Sequence, residues 1–311
     1  MLAALLLSSA IALTFDDLPG VAIPGACDDL RWNEKLLRVL RAHHAPALGL
    51  VNTSKTCELV PVLEAWLDEG HDLGNHTFSH RDVDRIPLGD YEQDVIRGES
   101  PLRSILAKRG KTLKYFRHPF LHTGNSPEVK RHLATFLRDR HYIVAPVTID
   151  NQEWVFADAY AHALERGDRA FARRVADAYV PFMESVVAFF ETRTQQVLGR
   201  AIPHVILLHM NALNADRLDT LLHMLERRGY RFITVDEALR DPAYALPDGY
   251  VGPRGVSWIH RWGVAKGMPM IEEPGEPEWL TSSSPSPAGT PAPSRSRPRP
   301  PPSLPAPPRT W

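Results

Sequence analysis

The sequence has only two cysteines, Cys27 and Cys57, among its 311 residues. Two cysteines are too few for a disulfide scaffold or a zinc ribbon, and whether they form one disulfide bond stays open. No segment reaches the roughly eighteen uninterrupted apolar residues of a membrane span. There is no excess of charge either, because 36 basic and 37 acidic residues give a formal net charge of −1. A strongly basic nucleic-acid-binding protein is therefore excluded.

The composition, 43% hydrophobic and 23% charged, is typical of a globular protein with a large core. The 28 prolines are unevenly distributed, since 11 of them fall in Thr281–Trp311, which has no acidic residue. We expect residues 269–311 to form a disordered Pro/Ser/Arg-rich tail. This tail either binds an unknown proline-binding module or is only a spacer.

Residues 1–10 are apolar like a signal peptide, but they lack a basic segment and run directly into a predicted strand. Two interpretations stay open. An export signal adjoins the domain, or the true amino terminus lies further upstream.

Apolar, often β-branched segments alternate with amphipathic segments, which is the pattern of βα units around a parallel sheet. Seven strands are predicted: Ala10–Phe15, Ala47–Val51, Asp72–Asn75, Leu113–Arg117, Tyr142–Ile149, Val205–His209 and Tyr230–Val235. They indicate an α/β fold, a distorted (β/α)7 barrel, as a single domain over residues 11–268.

Residues 155–200 depart from this alternation, because they are almost entirely helix-compatible, with breaks near Gly167 and Pro181. This helical insertion either covers the strand ends as a lid or packs on the barrel wall.

Two acidic residues and two histidines follow the first and third predicted strands. In parallel α/β folds the carboxyl ends of the strands meet at one edge, where sites assemble. Asp16 and Asp17 are adjacent and need a cation nearby if they are buried. His76 and His80 lie on one side of a helical turn, so they can share one ion. With Asp17 they form a set of three ligands that leaves a position open, as in a catalytic zinc site.

Further polar side chains follow the fourth, fifth and sixth strands. Arg117 can hold a carboxylate through two parallel hydrogen bonds and keep it ionised, although a surface ion pair is the simpler alternative. Asp150, Glu153 and Trp154 place two carboxylates and an aromatic ring at the same edge, and His209 ends an apolar strand.

The segments TFDD, HTFSH, RHPF, DNQEW and LLH, in this order, resemble the five motifs of the polysaccharide deacetylases, the carbohydrate esterase family four with the NodB-homology domain. The resemblance extends from about Ile11 to Leu239. It implies a catalytic barrel domain that hydrolyses N- or O-acetyl groups, that is, amide or ester bonds, on polysaccharides such as peptidoglycan, chitin or xylan. It also implies one divalent metal ion, zinc above all, with cobalt as an alternative.

The resemblance implies roles for the residues around the metal. Asp16 is similar to the general base, and Arg117 to the residue that orients it. Asp17, His76 and His80 resemble the metal ligands.

It implies a second set of roles on the substrate side. His209 resembles the general acid, and its carboxylate partner is either Asp150 or Glu153, since glutamate replaces the second aspartate of the family's DxxDW motif. Trp154 and Leu207 resemble the walls of the acetyl pocket, and Phe120 is predicted to contact substrate as well.

Three other functions stay open. The same scaffold could hydrolyse a non-sugar amide, because fold and metal do not determine the substrate. A catalytically inactive glycan-binding protein could retain the metal. A non-heme iron oxygenase could use His76, His80 and Asp17, but this leaves Asp16, Arg117 and His209 without roles. Because cell-wall glycans are extracytoplasmic, we expect a secreted or periplasmic protein.

Overall fold

The computed structural model describes residues 9–25, 27–55 and 57–282. Residues 1–8 and 283–311 therefore lie outside the described residues, with most of the predicted export signal and proline-rich tail. Within the described ranges no helix combines the length and the apolarity needed to cross a membrane.

Seven parallel strands form one curled sheet. They are β1 (Ser9–Leu18), β2 (Ala47–Val51), β3 (Asp72–Asn75), β4 (Tyr115–Phe116), β5 (Ile143–Val144), β6 (His204–His209) and β7 (Tyr230–Ile233). Their order is β5-β4-β3-β2-β1-β6, and β7 pairs with the amino-terminal half of β1. After β5 the chain crosses to β6, where Ile149 and Ile206 form a bridge. The predicted distorted (β/α)7 barrel is confirmed.

Ten α-helices surround the sheet in the part of the chain that the structure describes. They are α1 (Asp29–Ala42), α2 (Leu59–Asp68), α3 (Leu88–Ala107), α4 (Pro127–Asp139), α5 (Glu153–Glu165), α6 (Arg169–Leu198), α7 (Ala212–Arg227), α8 (Val235–Ala238), α9 (Trp258–Ala265) and α10 (Glu278–Ser282). The apolar sides of most helices pack with strand residues in one large hydrophobic cluster, in which the side chain of Trp66 is completely buried, and two smaller clusters lie beside it.

The fourth and fifth strands are shorter than the sequence pattern predicts. Proline has no backbone N–H for a sheet hydrogen bond, and Pro119 and Pro146 follow β4 and β5 closely. The chain beyond Pro146 pairs with β6 instead, since the Thr148 N–H donates to the Val205 carbonyl at 2.9 Å.

The predicted insertion consists of α5 and α6, and it packs against α7 and the barrel as one of the two expected arrangements. Gly167 separates the two helices with a positive φ of 70°. The predicted break at Pro181 is wrong, because α6 continues through it. Phe182 and Met183 are buried beside the proline, so tertiary packing outweighs the local cost.

The described end of the chain differs from the expected solvated extension after residue 268. Helix α10 packs on the insertion: the Trp279 ring lies 3.9 Å from the Arg174 guanidinium and meets Phe171 edge-on. Leu280 is completely buried. The contacts of Trp279 and the burial of Leu280 place this short segment against the folded domain, although composition alone suggested no such contacts.

Candidate active site

The carboxyl ends of the strands bring the predicted site residues to one edge of the sheet. Asp16 of β1 is in register with His209 of β6. The loops after β3 and β4 and the start of α5 surround this pair. All five motif segments therefore contribute to one site, although they are far apart in sequence.

Asp16 is held by a buried arginine. One terminal nitrogen of Arg117 donates to Asp16 Oδ1 at 2.6 Å and to Thr14 Oγ1 at 2.7 Å. The other guanidinium nitrogens donate to backbone carbonyls, at Ala145 and Pro146. The expected two parallel hydrogen bonds to one carboxylate are therefore absent. Arg117 is completely buried, so it is a fixed internal cation rather than a surface ion-pair partner.

Asp17, His76 and His80 form a compact set of potential metal ligands. One nitrogen or oxygen atom from each lies within 4.8 Å of the others. His80 Nε2 is 3.6 Å from Asp17 Oδ1, and His76 Nε2 is 3.7 Å from Asp16 Oδ2. The Nδ1 of His76 is 2.9 Å from the Arg117 carbonyl, which it meets as a donor, leaving Nε2 as the ligand atom. Two imidazoles and a carboxylate fit a divalent cation such as Zn²⁺.

The histidine pair does not lie on a helix, so the predicted helical turn is wrong. The two rings, 4.9 Å apart, are brought together by a loop in which Thr77 and His80 have positive φ values of 69° and 55°. Asn75 accepts from the Thr77 N–H at 2.9 Å, and Asp94 of α3 accepts from both the N–H and the hydroxyl of Ser79. Side-chain hydrogen bonds therefore stabilise an irregular backbone.

The electrostatics of this set favour an ionised carboxylate. Burial opposes ionisation of Asp17, but the positive potential of His80, Lys55 and other neighbours lowers its pKa to about 2. For His80 burial dominates and lowers the pKa to about 4, so the ring is neutral and able to ligate at neutral pH.

On the opposite side, His209 is paired with Glu153. The His209 Nδ1 is 2.7 Å from Glu153 Oε2. Burial alone would lower the pKa of His209, but this hydrogen bond and the negative charge of Glu153 raise it to about 9. Glu153 is completely buried, and its other oxygen accepts from the side-chain amides of Asn211 and Asn214. Of Asp150 and Glu153, the two carboxylates considered as the partner of His209, Glu153 is the one in contact with it.

Asp150 has a different environment. Its carboxylate accepts from the N–H of Asn151 at 2.9 Å and faces the cleft. Burial, followed by the negative charge of Glu273, raises its pKa to about 7. It lies at the edge of the site, without a hydrogen bond to His209 among those described.

An open cleft of about 690 Å³ lies above these groups. Leu207 is at its base, and the side chains of Trp154 and Phe120 are about half exposed at its rim. All three residues predicted to contact substrate thus line the same cleft. The Phe120 ring packs edge-on against the His80 ring at 4.6 Å.

The sequence patterns did not predict several of the side chains that lie around the cleft. Lys55 lies 4.0 Å from Asp17 Oδ1 and donates to the Gly20 carbonyl, and no strand or motif marks it. Asn211 and Asn214 could have been found, because they follow His209 directly and one of them caps α7. Arg261 of α9 is completely buried and donates to the Leu121 carbonyl at 2.7 Å.

The carboxy-terminal part of the chain also forms one side of the cleft, through Arg254 and Gly255. A Cβ atom on Gly255 would lie 1.9 Å from the Phe120 carbonyl oxygen, so only glycine fits this close approach.

The fold is a distorted (β/α)7 barrel with a group of potential metal ligands at the carboxyl ends of its strands, and sequence comparison points to a family. Residues 7–133 match the family model of the polysaccharide deacetylases. A peptidoglycan-N-acetylglucosamine deacetylase of Bacillus cereus is 22% identical over 232 residues, which cover 72% of this chain and 66% of that protein. A protein of the same description in Listeria monocytogenes is 22% identical over 73% of this chain and 38% of its own length. The chain thus spans less than two thirds of these relatives. The resemblance to the polysaccharide deacetylases is confirmed.

Solved structures share the fold. A CE4 family pseudoenzyme from Bacillus anthracis superposes with a TM-score of 0.51 at 16% identity, covering 75% of this chain and 66% of that one. A polysaccharide deacetylase from Bacillus cereus superposes with a TM-score of 0.50 at 21% identity, covering 73% and 91%. Since the fold carries both an enzyme and a pseudoenzyme, activity has to be argued from the side chains.

Proposed function

We propose that this protein is a metal-dependent deacetylase that hydrolyses acetyl groups on a polysaccharide. The observation that carries the proposal is the arrangement around one cleft. A carboxylate held by a buried arginine and a set of three metal ligands lie on one side, and a histidine–glutamate pair lies on the other. An amide or ester hydrolase needs both a base and an acid, and this cleft supplies them.

Asp17, His76 and His80 would hold the metal ion, which, when bound, polarises the acetyl carbonyl and lowers the pKa of water from about 15.7 toward about 7. Asp16 Oδ2 faces this set, because Oδ1 is engaged by Arg117. Asp16 is thus placed to take the proton of the attacking water. The hydrogen bond from Arg117 keeps the carboxylate in one orientation.

His209 supplies the proton for the leaving group. An amine is expelled only after protonation, and a ring whose pKa is about 9 is protonated at neutral pH. Trp154, Leu207 and Phe120 surround the space where the acetylated sugar would lie. Their apolar faces suit the acetyl methyl group and the ring of a pyranose.

A cell-wall glycan is the favoured substrate, because the relatives in Bacillus cereus and Listeria monocytogenes are named for peptidoglycan N-acetylglucosamine. An extracytoplasmic location agrees with the Cys27–Cys57 disulfide bond, since such bonds persist in oxidising compartments. Zinc is the proposed native metal, with cobalt as the alternative.

The test is release of acetate from an N-acetylated oligosaccharide and from acetylated xylan, by protein stripped of metal and then reloaded with Zn²⁺ or Co²⁺. We expect metal-dependent release that falls by about 10²–10⁴ in Asp16→Asn, the usual range for a general base. Asp139→Asn, an exposed aspartate at the end of α4, is the matched control and should behave as wild type. No acetate from either substrate with fully metal-loaded protein would refute the proposal and favour a non-sugar amide hydrolase or a binding protein.

A further inference from the structure

A second group of potential metal ligands lies beside the cleft. Asp82 and Asp84 follow the loop that carries His80, and His122 follows the turn after β4. One ligand atom from each of the three lies within 4.8 Å of the others. Their side chains are only 12%, 8% and 15% exposed, respectively. The cluster is thus a sheltered site between two loops rather than a solvated acidic surface.

Asp84 is the strongest indication that this cluster binds a cation. Both of its carboxylate oxygens are buried, and neither has a hydrogen-bond partner of ordinary geometry. Burial raises the pKa of Asp84, and the charge of Asp82 acts in the same direction, whereas His122 and the backbone of Asn125 lower it. A buried carboxylate without hydrogen bonds is costly unless it is neutralised or binds a cation.

His122 faces both carboxylates with the same ring nitrogen. Its Nδ1 is 2.9 Å from Asp82 Oδ1 and 3.5 Å from Asp84 Oδ2. One nitrogen shared by two carboxylates holds either a proton or a metal ion. Arg85 Nε is 3.3 Å from Asp82 Oδ2, but the Arg85 side chain is 81% exposed, so it contributes little charge to the buried side of the cluster.

We propose that Asp82, Asp84 and His122 form a second divalent-cation site, distinct from the Asp17–His76–His80 set. Two carboxylates and an imidazole suit Zn²⁺ or Mn²⁺ better than Ca²⁺, which prefers oxygen ligands alone. Because the ligands come from the loops after β3 and β4, the ion would tie these loops together.

This position gives the second ion an effect on the cleft. The Phe120 ring packs against both the His80 ring, at 4.6 Å, and the His122 ring, at 5.8 Å. Fixing His122 therefore fixes the side of the cleft that Phe120 forms. The inference stands on the geometry of this cluster and does not require the deacetylase proposal to be correct.

The test counts bound metal in the full chain. Stripped protein is dialysed against micromolar Zn²⁺, or in a parallel experiment Mn²⁺, and bound metal per chain is measured by plasma mass spectrometry. We expect two equivalents of at least one of these metals in wild type and one in each of Asp84→Asn and His122→Gln. His76→Gln, which removes a ligand of the first set, should also bind one.

The matched control is Asp219→Asn. Asp219 belongs to a similar cluster with His43 and His223, in which both ring nitrogens of His43 already have acidic partners. It should bind as much metal as wild type. The melting temperature and circular dichroism of each variant establish that it is folded.

The second site would be overturned, and the first left intact, if wild type bound only one equivalent of Zn²⁺ and of Mn²⁺. That equivalent would be lost in His76→Gln and unchanged in both Asp84→Asn and His122→Gln. In that case the close contact of His122 with the two carboxylates exists without a bound metal ion. Conversely, two equivalents without acetate release would support the second site while refuting the proposed activity.

Discussion

Replacing Glu153 by glutamine should shift the pH range in which the protein is active. Glutamine has the shape of glutamate and can still accept from Asn211 and Asn214, but it carries no charge. His209 then loses the partner that contributes most to its raised pKa of about 9, and the effect of burial, which lowers the pKa, is opposed only by the negative charges of Asp17 and Asp16. We expect the pKa of His209 to fall to about 6.5 or below, the ordinary value for histidine.

The size of the effect follows from these values. A fall from about 9 to about 6.5 corresponds to about 3 kcal/mol of interaction between Glu153 and the protonated ring. At pH 8 the protonated fraction of His209 would drop from about 0.9 to about 0.03. Because the ring must be protonated to serve as the acid, acetate release at pH 8 should fall about 30-fold. At pH 5.5 both proteins hold the proton, so the difference should be small.

The assay is kcat/KM for acetate release between pH 5 and 10, together with titration of the His209 ring by NMR. Wild type should lose activity only above about pH 9, the pKa of His209. Glu153→Gln should lose it above about pH 6.5. Glu165→Gln, at the exposed end of the same helix, is the control for the substitution itself. A basic limb that stays at the wild-type position in Glu153→Gln would refute the assignment of His209 as the acid tuned by Glu153.

Three further predictions concern stability. Arg117→Ala should lower the free energy of unfolding by about 3–5 kcal/mol in urea denaturation, since it leaves Asp16 as a buried charge without its partner; a loss under 1 kcal/mol would contradict this. Replacing both Cys27 and Cys57 by serine should lower the free energy of unfolding by about 3–4 kcal/mol, because the disulfide bond closes a 30-residue separation. An unchanged melting temperature would show that the bond does not constrain the unfolded chain. Removing Zn²⁺ held at one hundred times the Kd of a site should cost about 2.7 kcal/mol for each proposed site in wild type, whereas a chelator should leave the melting temperature of a variant lacking both proposed metal sites unaltered.

Each stability prediction has its own control. Arg85→Ala removes an arginine that is 81% exposed, so it should change the free energy of unfolding by less than about 0.5 kcal/mol. A reducing agent should destabilise wild type and leave the double serine variant unchanged. Adding Zn²⁺ back should restore the melting temperature of the stripped wild type.

Much of the fold could be predicted from local sequence patterns. The second and third strands occur with the predicted ends, because apolar runs bounded by turn residues are local signals. The sequence also predicts the helical insertion. It does not predict where the insertion packs, because its contacts with α7 involve residues that are distant in sequence. Pro181 shows the reverse case, in which local propensity predicts a break and tertiary packing overrides it.

The chemistry of the site was also visible in the sequence, as residue types at the ends of strands. The parallel sheet brings together six residues that the ends of the predicted strands indicate: Asp16, Asp17, His76, His80, Arg117 and His209. The sequence alone could not choose between Asp150 and Glu153 as the partner of His209. The structure shows the contact with Glu153, because α5 begins at this residue and directs its side chain inward.

The amino-acid sequence establishes the set of chemical groups and their order along a repeating βα chain. Strand patterns and side-chain chemistry are local properties, so both can be inferred without coordinates. Which of these groups come into contact depends on the tertiary structure. It produces the hydrogen bond between Glu153 and His209, the loop that brings His76 and His80 together, and the cluster of Asp82, Asp84 and His122. These depend on positive φ angles, buried amide contacts and loop packing between distant segments, for which a single sequence carries no periodic signal.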